Sequence, residues 1–309
     1  MIRNLTFNIR TTLTLDIYKQ LINISSYHGK SVFIASNRLL STSVNIDNDK
    51  MTAAECLLSA ASVNYFFTRK CNYSCKFCFH TAKTSDVLPL PDMIKMLRML
   101  KDAGALKINF AGGEVFLPSY QEILGELVKA SKQMGFESVS IITNGSESKC
   151  FPSWFSKYGQ YLDILGISVD SVNPKTNFIH GRHHSGASEA AVVSTIDKYL
   201  SKIRKAREVC KEHNVIFKIN SVVTSVNADE NMYEFINDIK PSHWKIFQVL
   251  PLKGENCGST KHPKKDVEPF VVSDEKFQQF VTRNKNALFD PTILKVESNR
   301  CYERFIHFN

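Results

Sequence analysis

Cys71, Cys75 and Cys78 stand at the spacing CxxxCxxC, with Phe77 before the last cysteine and Phe79 after it. Iron–sulfur clusters are held by thiolates, most often four. Three thiolates on one short loop suit a 4Fe–4S cluster whose fourth iron stays open to an outside ligand. Two plainer readings compete. Structural zinc wants a fourth protein ligand at short spacing, and His80 follows Cys78 too closely to complete a tetrahedral site comfortably. Buried free cysteine is common, but three so close together match simple packing poorly. The other five, Cys56, Cys150, Cys210, Cys257 and Cys301, are scattered. They form no second cluster motif, so the chain reads as holding one cluster in a reducing compartment.

Other polar residues fall where chemistry could use them. Gly112-Gly113-Glu114 lets backbone approach a ligand closely, because glycine has no Cβ, and its carboxylate offers an acceptor to an ammonium group. Alone, such a triplet is usually a turn. Lys107, Lys218 and Lys245 each sit in an otherwise apolar stretch, and Asn109, Asn220 and Phe247 share their faces. An unpartnered buried lysine is expensive, and a single one would snorkel to solvent. Three suggest a shared polyanion such as a nucleoside triphosphate, which lysine binds as a point charge. Arg182 could add a bidentate contact. The competing reading is three solvated lysines. No Walker-type glycine loop is present, which disfavours a kinase or ATPase.

The elements that must position these residues alternate strand and helix. Candidate strands are Ser62–Thr68, Lys107–Ala111, Ser138–Thr143, Ile164–Val169, Val215–Val222 and Trp244–Leu250. Several are apolar almost throughout, as in a parallel sheet covered on both faces. Helical patterns cover Pro91–Ala103, Tyr120–Met134, Glu189–His213 and Asp229–Ile239. The fold class is therefore α/β: a partial (βα)6 TIM-like barrel, wound right-handed. Chemistry in such folds collects at the carboxyl ends of strands. The cysteine loop follows the first strand, Gly112-Gly113-Glu114 the second, Asn144-Gly145 the third, and Asp170-Ser171 the fourth. Ser168 lies near the end of the fourth.

The chain has 309 residues, 43% hydrophobic content and a net charge of +9, which suits one large domain and anionic partners. The expected division is an N-terminal extension over 1–60, a barrel over 61–285 and a short C-terminal segment over 286–309. The first 46 residues hold one acid, Asp16, against Arg3, Arg10, Lys19, Lys30 and Arg38. This stretch reads as a transit peptide, a membrane-surface segment or a disordered tail. No apolar run approaches the ~20 residues that span a bilayer.

The cysteine spacing with its aromatic resembles that of the radical S-adenosylmethionine enzymes. The wider sequence resembles the viperin-like antiviral nucleotide dehydratases among them. The likeness runs from about Ser62 to Phe280. It rests on VNYFFTRKCNYSCKFCFHTAKTS, LKINFAGGE, SVSIITNGS, YGQYLDILGISVDS, FKINSVV and WKIFQVL followed by GENCG. This resemblance implies one 4Fe–4S cluster on Cys71, Cys75 and Cys78, whose open iron chelates S-adenosylmethionine. It implies contacts to that cofactor from Phe79, Gly112, Gly113, Glu114, Asn144 and Ser168. It implies conversion of CTP to 3′-deoxy-3′,4′-didehydro-CTP, a chain terminator for viral polymerases, after an adenosyl radical takes the C4′ hydrogen. Lys107, Arg182, Lys218 and Lys245 would hold the triphosphate, and Asn64 and Asn220 would line the nucleotide pocket.

Implied partners are a flavodoxin-type electron donor and iron–sulfur assembly factors, with peripheral membrane contact and no direct nucleic acid. The implied location is cytoplasmic, on the endoplasmic reticulum or lipid droplets, with mitochondria as the alternative. Ala111 departs from the family's usual serine and removes a hydrogen bond worth ~1.5–3 kcal/mol when charge-assisted. The family text ends near Arg300, short of the extension expected to close over the nucleotide. The alternative function is therefore a catalytically weakened iron–sulfur scaffold.

Overall fold

Seven parallel strands form one open sheet, ordered along it as they are along the chain. The computed structural model describes residues 62–80, 87–252, 256–257 and 265–299. The strands are β1 Ser62–Thr68, β2 Lys107–Gly112, β3 Ser138–Thr143, β4 Ile164–Ser168, β5 Ile216–Val223, β6 His243–Gln248 and β7 Leu294–Glu297. The helices are α1 Leu90–Asp102, α2 Gln121–Gln133, α3 Phe151–Tyr158, α4 Pro174–His180, α5 Glu189–Glu212, α6 Tyr233–Ile239 and α7 Asp274–Asn286. The expectations for residues 1–60 lie outside the described residues. Among the described residues no helix is long and apolar enough to cross a membrane.

Burial alternates along β1 and β6, as strand geometry requires when the two faces differ. Val63, Tyr65, Ile108, Phe110, Leu165, Ile167, Trp244 and Ile246 join helix residues such as Met93, Leu97, Leu124 and Ile203 in one core. The opposite face carries Asn64, Asn109, Ser140, Lys218, Asn220 and Lys245. The sheet is therefore apolar under its helices and mixed on its concave side, where these polar residues sit among Phe66, Ile142, Ile164 and Phe247. β3 and β4 keep the expected character of covered strands, with Ile142 and Ile164 on the concave face and burial nearly continuous along both.

Helix starts follow the local sequence. Asn173, Ser188 and Ser273 accept bonds from the first-turn amides of α4, α5 and α7, satisfying donors that a helix leaves unpaired. α6 begins at Tyr233 rather than Asp229. Asn227 instead closes a turn, accepting from the Thr224 amide and donating to the Asp170 carbonyl.

Three helices and one strand escape the sequence pattern. α3 is eight residues long, with Phe151, Trp154, Phe155 and Tyr158 buried. So short and aromatic a run carries no clear helical period. α4 is a seven-residue element, and α7 lies beyond the last expected strand. β7 has four residues, and Lys295 and Glu297 register with Lys245 and Phe247. The sheet thus has a seventh strand where six units were expected, and it runs past residue 285, where the sequence places a boundary.

Candidate functional site

The cysteine loop, residues 69–80, leaves the carboxyl end of β1 and is gripped from three sides. From β2, the amides of Gly113 and Glu114 donate to the carbonyls of Thr68 and Lys70 at 2.8 Å each. A Cβ at Gly113 would lie 2.0 Å from the Lys70 carbonyl oxygen, and Gly112 sits at φ +123°. Only glycine tolerates both demands. From the end of α4 and the segment after it, the Lys76 amide donates to the His180 carbonyl at 2.9 Å, Tyr73 bridges His184, and the Ser185 amide donates to the Asn72 carbonyl at 2.9 Å. From the segment after β6, Asn256 Nδ2 donates to the Phe77 carbonyl at 2.8 Å, and the Lys265 ammonium reaches the His80 carbonyl. Asn256 was not singled out in the sequence; its signal would have been an amide amid a glycine-flanked turn.

This grip brings the three thiols onto one short loop. Cys71 is exposed, Cys75 and Cys78 are half-buried, and Cys150, Cys210 and Cys257 belong to other elements. Burial pushes the Cys75 thiol up to about 12, and desolvation of its sulfur raises the Cys71 thiol although the residue as a whole is exposed, so loading iron must displace protons. Among the described residues no three His, Cys, Asp or Glu side chains converge on one metal ion. A soft, three-sulfur donor set on one loop fits a cube of iron and sulfide better than a zinc knuckle. Phe79 is 37% exposed beside the His80 ring.

Glu114 has more partners than its sequence position suggests. It is fully buried. Its Oε1 accepts from Thr143 Oγ1 at 2.6 Å and the Phe116 amide at 2.9 Å, and its Oε2 accepts from the Asn144 amide at 2.7 Å. Burial pushes its pKa up while these donors pull it down. The carboxylate is a strut joining β2 to β3, and Oε2 keeps one lone pair for a further donor. Asn144 Nδ2 donates to Asn72 Oδ1 at 2.9 Å and lies 3.9 Å from the Cys71 sulfur. The Tyr199 hydroxyl, not foreseen from the sequence, reaches the carbonyls of Asn144 and Ser168 at 3.2 and 3.1 Å. α5 thereby ties the ends of β3 and β4.

On the concave face the structure separates the predicted lysines. Lys107 is exposed, in register with Ser62 and Ser138. Lys245 is paired with Glu297 on the unforeseen β7. Lys218 is half-buried opposite Gly166. Burial, then the like charge of Lys245, pulls its pKa down to about 8. The picture of three unpartnered buried lysines is thus corrected: one is exposed, one is paired, and Lys218 alone carries a desolvated charge.

Asn220 and Gly166 lie close to Lys218 on the same face. Asn220 Oδ1 is buried without a partner. A Cβ at Gly166 would come within 2.7 Å of Ile142 and 3.3 Å of Asn220 Nδ2. Asn64 accepts from Asn109 at 3.0 Å. Arg182 is paired through Nε with buried Asp170 and lies 6.0 Å over the Phe77 ring.

His180 backs the cysteine loop. It is fully buried, with Nε2 2.8 Å from Thr224 Oγ1 and its ring 5.1 Å from Phe77. Burial pulls its pKa down to about 4. A histidine depressed in the fold is stabilising only while neutral. Its contribution is complete above the unfolded value of ~6.5 and is lost as pH falls toward 4. The expected loss across that window is about 3 kcal/mol. Urea unfolding at stepped pH should show this slope, and His180→Phe should flatten it. Equal slopes in both proteins would refute the assignment.

Comparison with known proteins decides the family. Residues 65–239 match the Radical SAM superfamily. The chain belongs to the radical SAM superfamily. Within it the chain falls among the S-adenosylmethionine-dependent nucleotide dehydratases. It is 41% identical over 260 residues to S-adenosylmethionine-dependent nucleotide dehydratase RSAD2 of Oncorhynchus mykiss, covering 84% of this chain and 70% of the relative. Its match in Siniperca chuatsi is 45% identical, covering 78% and 64%. A bacterial relative in Flammeovirga pacifica is 32% identical, covering 78% of each. The chain thus spans less than two thirds of some relatives, 64% in Siniperca chuatsi and 59% in Danio rerio. Streptococcus suis SuiB bound to S-adenosylmethionine shares the radical SAM fold at TM-score 0.53 and 18% identity, covering 77% of this chain and 50% of that one.

Proposed function

We propose that the chain is a radical SAM lyase that removes the 3′-hydroxyl of CTP, or a related nucleoside triphosphate, as water. The observation that carries this reading is the concave face at β4–β6, where Lys218, the unpartnered Asn220 Oδ1 and Lys245 stand on paired strands around the side-chain-free Gly166. Membership of the dehydratase family supports the same substrate class.

Cys71, Cys75 and Cys78 would hold the 4Fe–4S cluster. Gly112, Gly113, Glu114, Asn144, Ser168 and Phe79, on the carboxyl ends of β2–β4 and the cysteine loop, would hold S-adenosylmethionine. When bound and reduced, that pair supplies the 5′-deoxyadenosyl radical that takes a ribose hydrogen. Lys218 offers the triphosphate a desolvated ammonium. Because its pKa is pulled down to about 8, a bound phosphate favours the charged form, and binding takes up part of a proton near that pH. Lys245 and Arg182 are already paired with Glu297 and Asp170, so they would offer the triphosphate oriented N–H donors rather than net charge. Asn64 and Asn220 would meet the sugar and base.

The remaining parts of the proposal are a flavodoxin-type donor, assembly factors for the cluster, an antiviral role and a cytosolic membrane-face location. The last rests on the basic residues before 46, outside the described region.

Anaerobic assay with CTP, UTP and GTP tests the reaction. The expected outcome is a didehydro nucleotide formed together with 5′-deoxyadenosine. Cleavage of S-adenosylmethionine with every nucleotide left intact would overturn it. Lys218→Met should weaken triphosphate binding about 10–100-fold, the value of a charge-assisted contact, while sparing the nucleoside. Calorimetry showing the same triphosphate affinity in the variant would remove Lys218 from the site.

A further inference from the structure

His243 opens β6 two residues before Lys245, so both side chains leave the strand on the concave face. In register it stands beside Lys218 of β5, as Lys245 stands beside Asn220. The ring is half-buried, and its Nδ1 is buried without a hydrogen-bond partner, like Asn220 Oδ1 on the neighbouring strand. Buried polar atoms are nearly always paired. An unpaired atom on each of two paired strands, both on one face, marks a place where the partner comes from outside the chain.

The charges acting on the ring are positive. Lys218 reaches it from β5 and Lys295 from β7, and Lys295 is itself in register with Lys245. Glu297 lies two positions further along β7 and is paired with Lys245. Asp290, ahead of β7, is turned to Thr292. Beyond Lys218, β4 contributes the uncharged Ile164 and Gly166. Burial first, then Lys295 and Lys218, pull the His243 pKa below its ordinary value, with the Ser242 backbone acting the other way. Such a ring is neutral at pH ~7. A phosphate brought against it reverses the balance, because an opposite charge within ~4–6 Å favours the charged form. Protonation also makes Nδ1 a donor whatever the tautomer of the neutral ring, and a phosphate oxygen accepts from it.

We propose that His243 is a proton-linked member of the triphosphate site: it meets a phosphate oxygen as the imidazolium, so that nucleotide binding takes up a proton there and tightens as pH falls through the neutral range. The sign follows from linkage. The bound form holds the proton to a higher pH than the free form, so affinity rises as pH drops through the bound value and levels off below the free one. Lys218, whose own pKa is pulled down to about 8, gives a similar step at higher pH, and the two steps together make the site's charge follow the pH. This rests on the triphosphate reading given above, and the test below tells the failures of the two apart.

Calorimetry of the full chain with CTP and with cytidine, at steps from pH ~8 to ~6 and without S-adenosylmethionine, measures this linkage. From one end of that range to the other, wild-type affinity for CTP should rise about three- to tenfold more than that of His243→Gln, since one proton changes affinity by at most about tenfold per pH unit. The terminal phosphate and Lys218 titrate in both proteins, so the difference between the two curves belongs to His243. His243→Arg, charged at every pH, should bind CTP more tightly than wild type at pH ~8 and follow the shallower slope of the Gln variant. Cytidine affinity should stay flat in all three. In buffers of different protonation enthalpy, wild type should take up more protons on binding CTP than His243→Gln does. Parallel CTP curves in wild type and His243→Gln overturn the role of His243 and leave the triphosphate site standing. Should the Gln variant fail to fold, equal slopes in wild type and His243→Arg overturn it instead. Wild-type binding of CTP no tighter than that of cytidine overturns the triphosphate reading, and the role of His243 with it.

Discussion

Cys75→Ala should leave a folded protein that holds no cluster and forms no product. The side chain is small and half-buried, so truncation removes one sulfur without opening a large cavity. The loop's grip uses backbone groups of Thr68, Lys70, Asn72, Lys76 and Phe77, none of which the substitution touches. What disappears is one of three thiolates, and two cannot anchor a cube of four irons. Wild-type protein reconstituted anaerobically should carry about four irons per chain, and the variant close to none. Cys150→Ala is the control. Its thiol is also half-buried, but it sits between β3 and α3, outside the loop, and it should keep full iron and activity. Retention of wild-type iron in Cys75→Ala would refute the three-cysteine assignment. Loss of iron in Cys150→Ala would mean that a fourth thiolate is involved.

Much of this arrangement was legible because local pattern and global fold agree. β1 and β3 occur with the bounds their residues suggest, and the motifs fall at strand ends as a parallel sheet demands. What stayed hidden was long-range. Nothing near Lys245 announces that Glu297, on a four-residue strand, will pair with it. Nothing near Arg182 announces Asp170 as its partner, although both lie in motif-bearing loops. The two glycines at the end of β2 are readable as close-approach residues, but the groups they approach, the carbonyls of Thr68 and Lys70, are visible only in three dimensions. Glu114 was identified by its motif, while its bonds to Thr143 and Asn144 depend on the pairing of β2 with β3. Sequence therefore located the chemistry, and the structure supplied the partners that decide how each charge behaves.

Asp170→Ala should produce the largest loss of stability of any single change near the site. The carboxylate is fully buried, and the Arg182 side chain it holds is 10% exposed. Asp170 Oδ1 also accepts from the Val222 amide at 2.9 Å, so truncation strands a guanidinium and a backbone donor together. Breaking a buried pair by removing one partner costs ~3–5 kcal/mol, because the remaining charge stays desolvated. For a chain of this size that lowers the melting temperature by roughly 10 °C. Removing both charges should cost less than removing one. Asp170→Ala/Arg182→Met is therefore expected to melt above Asp170→Ala. Thermal unfolding of the two singles and the double closes the cycle. If the double is as unstable as the sum of the singles, the pair carries no coupling, and Arg182 is held by its contact with Phe77 instead. If the coupling is present, Asp170 acts on the chemistry at one remove. It fixes the guanidinium beside the cysteine loop, and Asp170→Asn, which keeps an acceptor but not the charge, should recover part of the stability.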